Sequence, residues 1–182
     1  IDVAKWNGVI DWAKVKKAGV EFAVLKVIDK SNKTESTFIR NYAGASAQGL
    51  PLDVYNYLYT TTEASAREAA KAVVNALAGR KIGKVWADVE DACLKNKGIL
   101  LIRILNTYKA VIEAAGYEFG VYTGLSFYNS YIKPYKAYID CDFWIARYPS
   151  TKDMTIAMDP AASKKPVICH NLWGWQYSSK GK

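Results

Sequence analysis

Phe22-Ala23-Val24-Leu25-Lys26-Val27-Ile28 is a nearly continuous apolar run. A strand covered on both faces reads this way, whereas a half-exposed strand alternates apolar with polar. Just before it, Asp11-Trp12-Ala13-Lys14-Val15-Lys16-Lys17-Ala18-Gly19 has an acid at its head and a glycine at its foot, the punctuation of a helix. The same alternation continues outward. Ile1 to Ala4 is a short apolar start. A helix is expected over Ser36–Gln48, closed by Gly49, then a strand over Val54–Tyr59 and an alanine-rich helix over Ala64–Ala78 before Gly79. A strand over Val85–Glu90, a helix over Ile99–Ala115 with its Gly116 stop and a strand over Phe119–Thr123 follow. Phe143–Ala146, Pro166–Cys169 and Trp173–Tyr177 read as three further strands with little helix between them.

Four or five βα units in a row imply parallel strands joined by right-handed crossovers. No glycine-rich phosphate loop follows any of these strands, so an open nucleotide-binding sheet loses its support. A barrel is the better solution. Eight full βα units take about 250 residues, so a chain of 182 closes only if its last units shed their helices. The expected fold is α/β, an irregular TIM-like barrel.

Composition narrows the chemistry. Hydrophobic residues make up 51% and charged residues 23%, within the globular range. No run approaches the roughly 18 apolar residues of a membrane-spanning helix. The chain opens on Ile1 with no apolar signal segment before it, and is read as a processed or trimmed piece. Lys and Arg outnumber Asp and Glu by 25 to 17, a formal charge of +8 that favours polyanionic partners such as nucleic acid, anionic membrane or bacterial wall. The lysines fall in short pairs, Lys16-Lys17 and Lys164-Lys165, with no run of five or more, as a solvated surface would have them. Cys93, Cys141 and Cys169 form no CxxC pair, and the lone histidine, His170, allows no histidine-rich metal site. No GxSxG elbow supports a serine nucleophile. Neither a metal nor an organic cofactor is expected.

The informative residues are acids on the expected strands. Asp2 lies on the first, Asp29 ends the second, and Asp88 and Glu90 end the fourth at positions i and i+2. Side chains alternate faces along a strand, so Asp88 and Glu90 project to one side while Ala87 and Val89 pack on the other. Two ionised carboxylates that close repel, which raises the pKa of at least one. Glycoside hydrolysis needs this arrangement: one carboxylic acid protonates the leaving oxygen while another carboxylate stabilises the oxocarbenium-like charge. A solvated, idle surface pair has the same spacing. Aromatics, 13% of the chain, separate the two readings. Tyr55, Tyr57, Trp144, Tyr148, Trp173, Trp175 and Tyr177 fall near strand ends, and aromatic faces are platforms for sugar rings. Base stacking is another use of such faces, but these alternate with acids, which a phosphate backbone would repel.

Taken in order, the motifs resemble a known family. Ile1-Asp2-Val3-Ala4-Lys5-Trp6-Asn7-Gly8, Ile10-Asp11-Trp12 and Val15-Lys16-Lys17-Ala18-Gly19 are similar to the opening of family 25 glycoside hydrolases, the N-acetylmuramidase lysozymes of bacteria and phages. The likeness continues through Asn41-Tyr42, Ala47-Gln48-Gly49-Leu50-Pro51, Tyr55-Asn56-Tyr57, Val85-Trp86-Ala87-Asp88-Val89-Glu90-Asp91, Ala115-Gly116-Tyr117, Gly120-Val121-Tyr122-Thr123, Phe143-Trp144-Ile145-Ala146-Arg147-Tyr148 and Trp175-Gln176-Tyr177-Ser178. The resemblance implies five βα units followed by three strands with little helix, over a single catalytic domain spanning residues 1–182. It implies cleavage of the β-1,4 bond from N-acetylmuramic acid to N-acetylglucosamine in peptidoglycan, without a cofactor. Glu90 would be the general acid, Asp88 would stabilise charge or orient the substrate N-acetyl group, and Asp2 would be a further active-site carboxylate. Tyr55, Tyr57, Trp144, Tyr148, Trp175, Gln176 and Asp29 would bind substrate. The implied partner is the glycan chain alone, engaged by a monomer outside the cell or in the wall, with no nucleic acid or membrane involved.

Three departures from the family pattern stand out. After the second strand the family carries an acid and a glycine; here they are Asp29, shorter than the common Glu, and Lys30. Asp53 occupies a position usually small, where it would crowd the barrel or add a carboxylate. The family supplies another active-site Asp on a strand after the Trp-Gln-Tyr segment, so a domain ending at Lys182 is read as truncated at its C-terminus. These departures motivate an alternative, a catalytically degenerate barrel that binds cell-wall glycan without cleaving it.

Overall fold

The computed structural model describes residues 1–150, 152–155 and 158–180. Among these, β1 (Asp2–Val3), β2 (Ala23–Lys26), β3 (Leu52–Tyr57), β4 (Lys84–Asp88), β5 (Glu118–Gly124), β6 (Asp142–Ala146) and β7 (Asn171–Gln176) form one sheet in chain order, with every pairing parallel. Parallel neighbours need crossovers. The first four are α1 (Trp12–Lys17), α2 (Phe38–Ala47), α3 (Glu63–Leu77) and α4 (Ile99–Ala114). After β5 come three short helical pieces, Leu125–Phe127, Tyr128–Ile132 and Lys133–Tyr138, and among the described residues the β6–β7 connection holds only a 3-10 turn at Ala162–Lys164.

The helices form where the sequence punctuates them. Asp11 caps α1 by accepting from Lys14 N at 3.0 Å, and Thr62 and Ser65 cap α3 reciprocally, each side chain accepting from the other's backbone N–H at 3.1 and 3.2 Å. Such caps are worth about 1 kcal/mol each. On α4 the stripe Leu101, Leu105, Tyr108 and Ile112 is buried at helical spacing, and α3, with Ala66, Ala69, Ala70 and Val73 buried, packs beside it.

The sheet curls into a half-barrel with its helices outside. Alternation gives it two apolar faces: Leu25, Val54, Val85, Ala87, Val121, Phe143 and Ile145 pack outward, while Val24, Trp86, Tyr122 and Ala146 cluster inside with Phe22, Tyr55 and Trp144. Two expectations are thereby corrected. The barrel is not closed, because no ladder joins β1 to β7 among the described residues. Pro166–Cys169 is not a strand: β6 pairs directly with β7, leaving no slot between them, and Val167 points to solvent at 89% exposure. Among the described residues, five βα units are thus followed by two strands, not three.

Asp53 neither crowds the half-barrel nor joins the mouth. Its carboxylate is buried beneath the inner cluster, accepting from Trp86 Nε1 and Lys84 N at 2.7 Å each. Burial raises its pKa despite those bonds. Gly120 lies against the same ring, and a Cβ there would overlap Trp86, which has no room to turn at 0% exposure. Overpacking a core in this way costs about 1–3 kcal/mol. Gly120→Ala is accordingly expected to lower the urea midpoint by that equivalent with an unchanged slope; an unchanged midpoint would contradict the placement of Trp86.

Candidate active site

Strands of a curled sheet tilt, so residues paired by register are staggered along its axis. That stagger brings Asp2, on the first strand, to the same end of the half-barrel as Gln176, the last residue of β7: Gln176 Nε2 donates to Asp2 Oδ1 at 2.8 Å. Asp88 ends β4 on the inner face, and Glu90 follows on the same side. Val89 between them is fully buried outward; its N–H donates to the Tyr122 carbonyl at 2.8 Å and its own carbonyl accepts from Thr123 Oγ1 at 2.5 Å. These bonds hold the backbone extended past the strand end, which is what lets both acids face the cleft.

The three carboxylates differ in surroundings. Asp88 is 6% exposed, and its Oδ1 has no hydrogen-bond partner among the described residues. Burial pushes its pKa well above the ordinary carboxylate value; the charges of Glu90 and Asp2 push it further, and the Lys26 ammonium pulls the other way. Glu90 opens to solvent, yet the cleft walls exclude enough water to raise its pKa, and Asp2 adds to that. Nearby charge and desolvation thus both favour holding protons at this end.

Aromatic side chains line the space around them. Trp86 forms the floor, with Trp173 and Trp144 rings 4.7 and 5.9 Å away, and Tyr122 packs edge-on to Trp144 at 4.6 Å. Tyr55 and Tyr57 stand on the inner face of β3, where burial and the carboxylates raise both phenols above their usual pKa. Tyr57 OH donates weakly to Asp91 Oδ2 at 3.4 Å. Tyr148, half-exposed after β6, donates to Gln176 Oε1 at 2.6 Å. Among the described residues no cluster of metal-ligating side chains accompanies these groups.

Asp2, Asp88, Glu90, Tyr55, Tyr57, Trp144, Tyr148 and Gln176 are therefore brought together. Trp175 is not, and Asp29 meets this group through Tyr57, with which it lines a pocket beside Tyr59. Asp29 accepts from Ser31 N and Lys33 N at 2.8 and 3.1 Å, closing its own turn, and those bonds lower its pKa. Trp175 pairs with Ile145 on the outward face of β7, its indole N–H donating to the Arg147 carbonyl at 2.8 Å. Trp173 takes the inward place because the register shifts between Phe143 and Trp144, so that Trp173 and Gly174 together oppose Trp144.

Several contributors carried little sequence signal. Lys26 sits inside an apolar run, yet its ammonium lies 5.8 and 5.9 Å from the Tyr55 and Tyr57 rings. Glu35, 3% exposed, accepts from Lys5 N, Thr37 N and Thr37 Oγ1 and so ties the loop after β1 to the start of α2. Tyr122 was legible in principle, since Phe119 and Val121 mark the opposite face of its strand.

Comparisons with known proteins follow the same line. The profile of the glycosyl hydrolases family 25 matches residues 1–182. The autolytic lysozyme of Clostridium acetobutylicum is 28% identical over 186 residues, covering 100% of this chain and 50% of that protein, so the chain spans half of that relative's length. Two solved structures share the fold. The catalytic domain of an endolysin from a Listeria monocytogenes bacteriophage superposes with a TM-score of 0.74 at 24% identity, covering 100% of this chain and 84% of that one. The bacterial lysozyme from Streptomyces coelicolor does so with a TM-score of 0.70 at 22% identity, with the same 100% and 84% coverage.

The raised pKa values carry a sign for stability. A carboxyl whose folded pKa exceeds its unfolded value binds more protons in the native state, so stability declines as pH rises from the unfolded toward the folded value. Asp88→Asn removes that penalty. At neutral pH its melting temperature should exceed wild type, by about 2–4 °C for each kcal/mol of relieved repulsion in a chain of this size, and the gap should close near pH 3, about a unit below the free Asp value. A variant less stable than wild type at neutral pH would contradict the burial of an uncompensated charge.

Proposed function

The chain belongs to the glycosyl hydrolases of family 25, and from that membership and the geometry of the cleft we propose that it cleaves the β-1,4 bond between N-acetylmuramic acid and N-acetylglucosamine in peptidoglycan. The observation that carries this reading is the gathering of Asp2, Asp88 and Glu90 in a partly dried, aromatic-floored cleft, with the pKa of both Asp88 and Glu90 raised.

Glu90 is the general acid. It must hold a proton near neutral pH and reach a substrate oxygen, and it combines a raised pKa with access from solvent. As the glycosidic bond lengthens, positive charge develops on the sugar ring, and Asp2 supplies the negative field that stabilises it. Asp88 Oδ1, buried without a partner, is the acceptor available to an N–H of the substrate, which assigns it the acetamido group. Tyr55, Tyr57, Trp144 and Tyr148 offer ring faces and hydroxyls to the sugars. The formal charge of +8 suits a polyanionic wall, since attraction raises encounter rate and residence. On this reading the protein acts as a monomer, outside the cell or in the wall; among the described residues no helix is long and apolar enough to cross a membrane.

Soluble fragments released from purified peptidoglycan, identified by mass spectrometry, test the proposal. Wild type should release fragments with reducing-end N-acetylmuramic acid, and Glu90→Gln should lose about 10²–10⁴-fold in rate, the usual contribution of a general acid, while remaining folded. Reducing-end N-acetylglucosamine would assign a different bond, and an undiminished Glu90→Gln rate would remove Glu90 from the mechanism.

A further inference from the structure

The seam between β1 and β7 is where, among the described residues, the curl lacks a ladder, and Gln176 spans it. Its Oε1 accepts from the hydroxyls of Tyr122 and Tyr148 at 2.6 Å each, and its Nε2 donates to Asp2 Oδ1 at 2.8 Å. A carboxylate only accepts, so the NH2 group must face Asp2 and the amide oxygen must face the phenols. Burial, with the nearby carboxylates, raises both phenols, so they stay protonated donors across the working pH range.

Asp2 needs such a partner. It lies on a two-residue edge strand, is solvent-exposed, and among the described residues its carboxylate accepts a side-chain hydrogen bond from Gln176 alone. Tyr122 is the firmer anchor, 8% exposed and packed edge-on to Trp144.

We infer that Gln176 is a positioning residue that acts through Asp2, clasping it across the open seam at the setting where it faces Asp88 and Glu90. The inference rests on the glycosidase reading of the cleft, and it replaces the direct sugar contact expected of Gln176 with a hold on a carboxylate. The titratable groups facing the clasp are Asp2 itself, Lys26 from β2, Tyr55 from β3, Asp88 and Glu90 after β4, Tyr122 from β5 and Tyr148 after β6.

Gln176→Glu tests this with nearly the same shape. One carboxyl oxygen can still accept from the phenols while the other faces Asp2. As long as that carboxyl keeps its proton, its O–H donates to Asp2 as the amide did. Once it ionises, two carboxylates oppose each other and the clasp opens. Rates of peptidoglycan release would be measured against pH for wild type, Gln176→Glu and Gln176→Met. The Gln176→Glu variant should approach wild type at the acidic end and fall away as pH rises, moving the optimum acidward by about one unit or more. The Gln176→Met variant, which can neither donate nor accept strongly, should lose kcat at every pH by about 10²-fold, the penalty of a misplaced catalytic group, with KM nearly unchanged. A Gln176→Glu profile parallel to wild type, a loss confined to KM, or a lowered melting temperature with unaltered kinetics would overturn the inference. A wild type that releases nothing at any pH would instead defeat the glycosidase reading and this inference with it.

Discussion

Three carboxylates held at one end of a curled sheet repel one another, and most of the structure bears on keeping them there. Asp88 is confined by β4, whose every residue is buried, and Glu90 by the extended backbone that Val89 anchors in the outer core. Lys26 is the cation that tempers Asp88; a full salt bridge there would hold Asp88 ionised and work against the raised pKa. Floor and wall residues such as Trp86, Tyr122 and Tyr55 displace water, and it is their exclusion of water, more than the mutual charge, that heads the causes raising both Asp88 and Glu90. An acid of ordinary pKa would be almost wholly ionised at neutral pH and unable to donate.

Rigidity of that floor is obtained from below. Asp53 holds the Trp86 indole N–H and the Lys84 backbone N–H, and the Lys84 ammonium in turn bridges Glu118 and Asp142 at 2.8 and 2.9 Å. The polar base of the half-barrel thus fixes an aromatic layer, and that layer fixes the shape of the cleft. The seam is managed by side chains in place of backbone. Phe22 touches Trp173 at 5.6 Å across it, and the Gln176 amide joins Asp2 to two tyrosines.

Much of this was legible before any coordinates. Capping acids, glycine stops and apolar runs located the βα units because those signals act within a few residues. Asp88 and Glu90 could be placed on one side because strand alternation is local too. What stayed hidden depends on register and on loop geometry. Trp175 and Trp173 look alike in sequence, and a register shift, invisible there, turns one inward and the other out. Asp29 sits at a strand end like the other acids, but two backbone N–H groups of its own turn engage it. Pro166–Cys169 has strand composition, but β6 pairs directly with β7 and leaves no slot between them. Lys26 is masked by its apolar neighbours; Asp2 was legible as a strand acid, and the stagger of a tilted sheet brings it to the cluster.

Carboxyl-carbon NMR titration of Asp88 and Glu90, each assigned by its Asn or Gln variant, is the most direct test of the sequestered cluster. Both signals should titrate above the ordinary carboxylate range of about 4, and the Asp88 signal should show a second inflection where Glu90 ionises. Two independent single-step curves at ordinary values would mean that the cleft neither dries its carboxylates nor couples them.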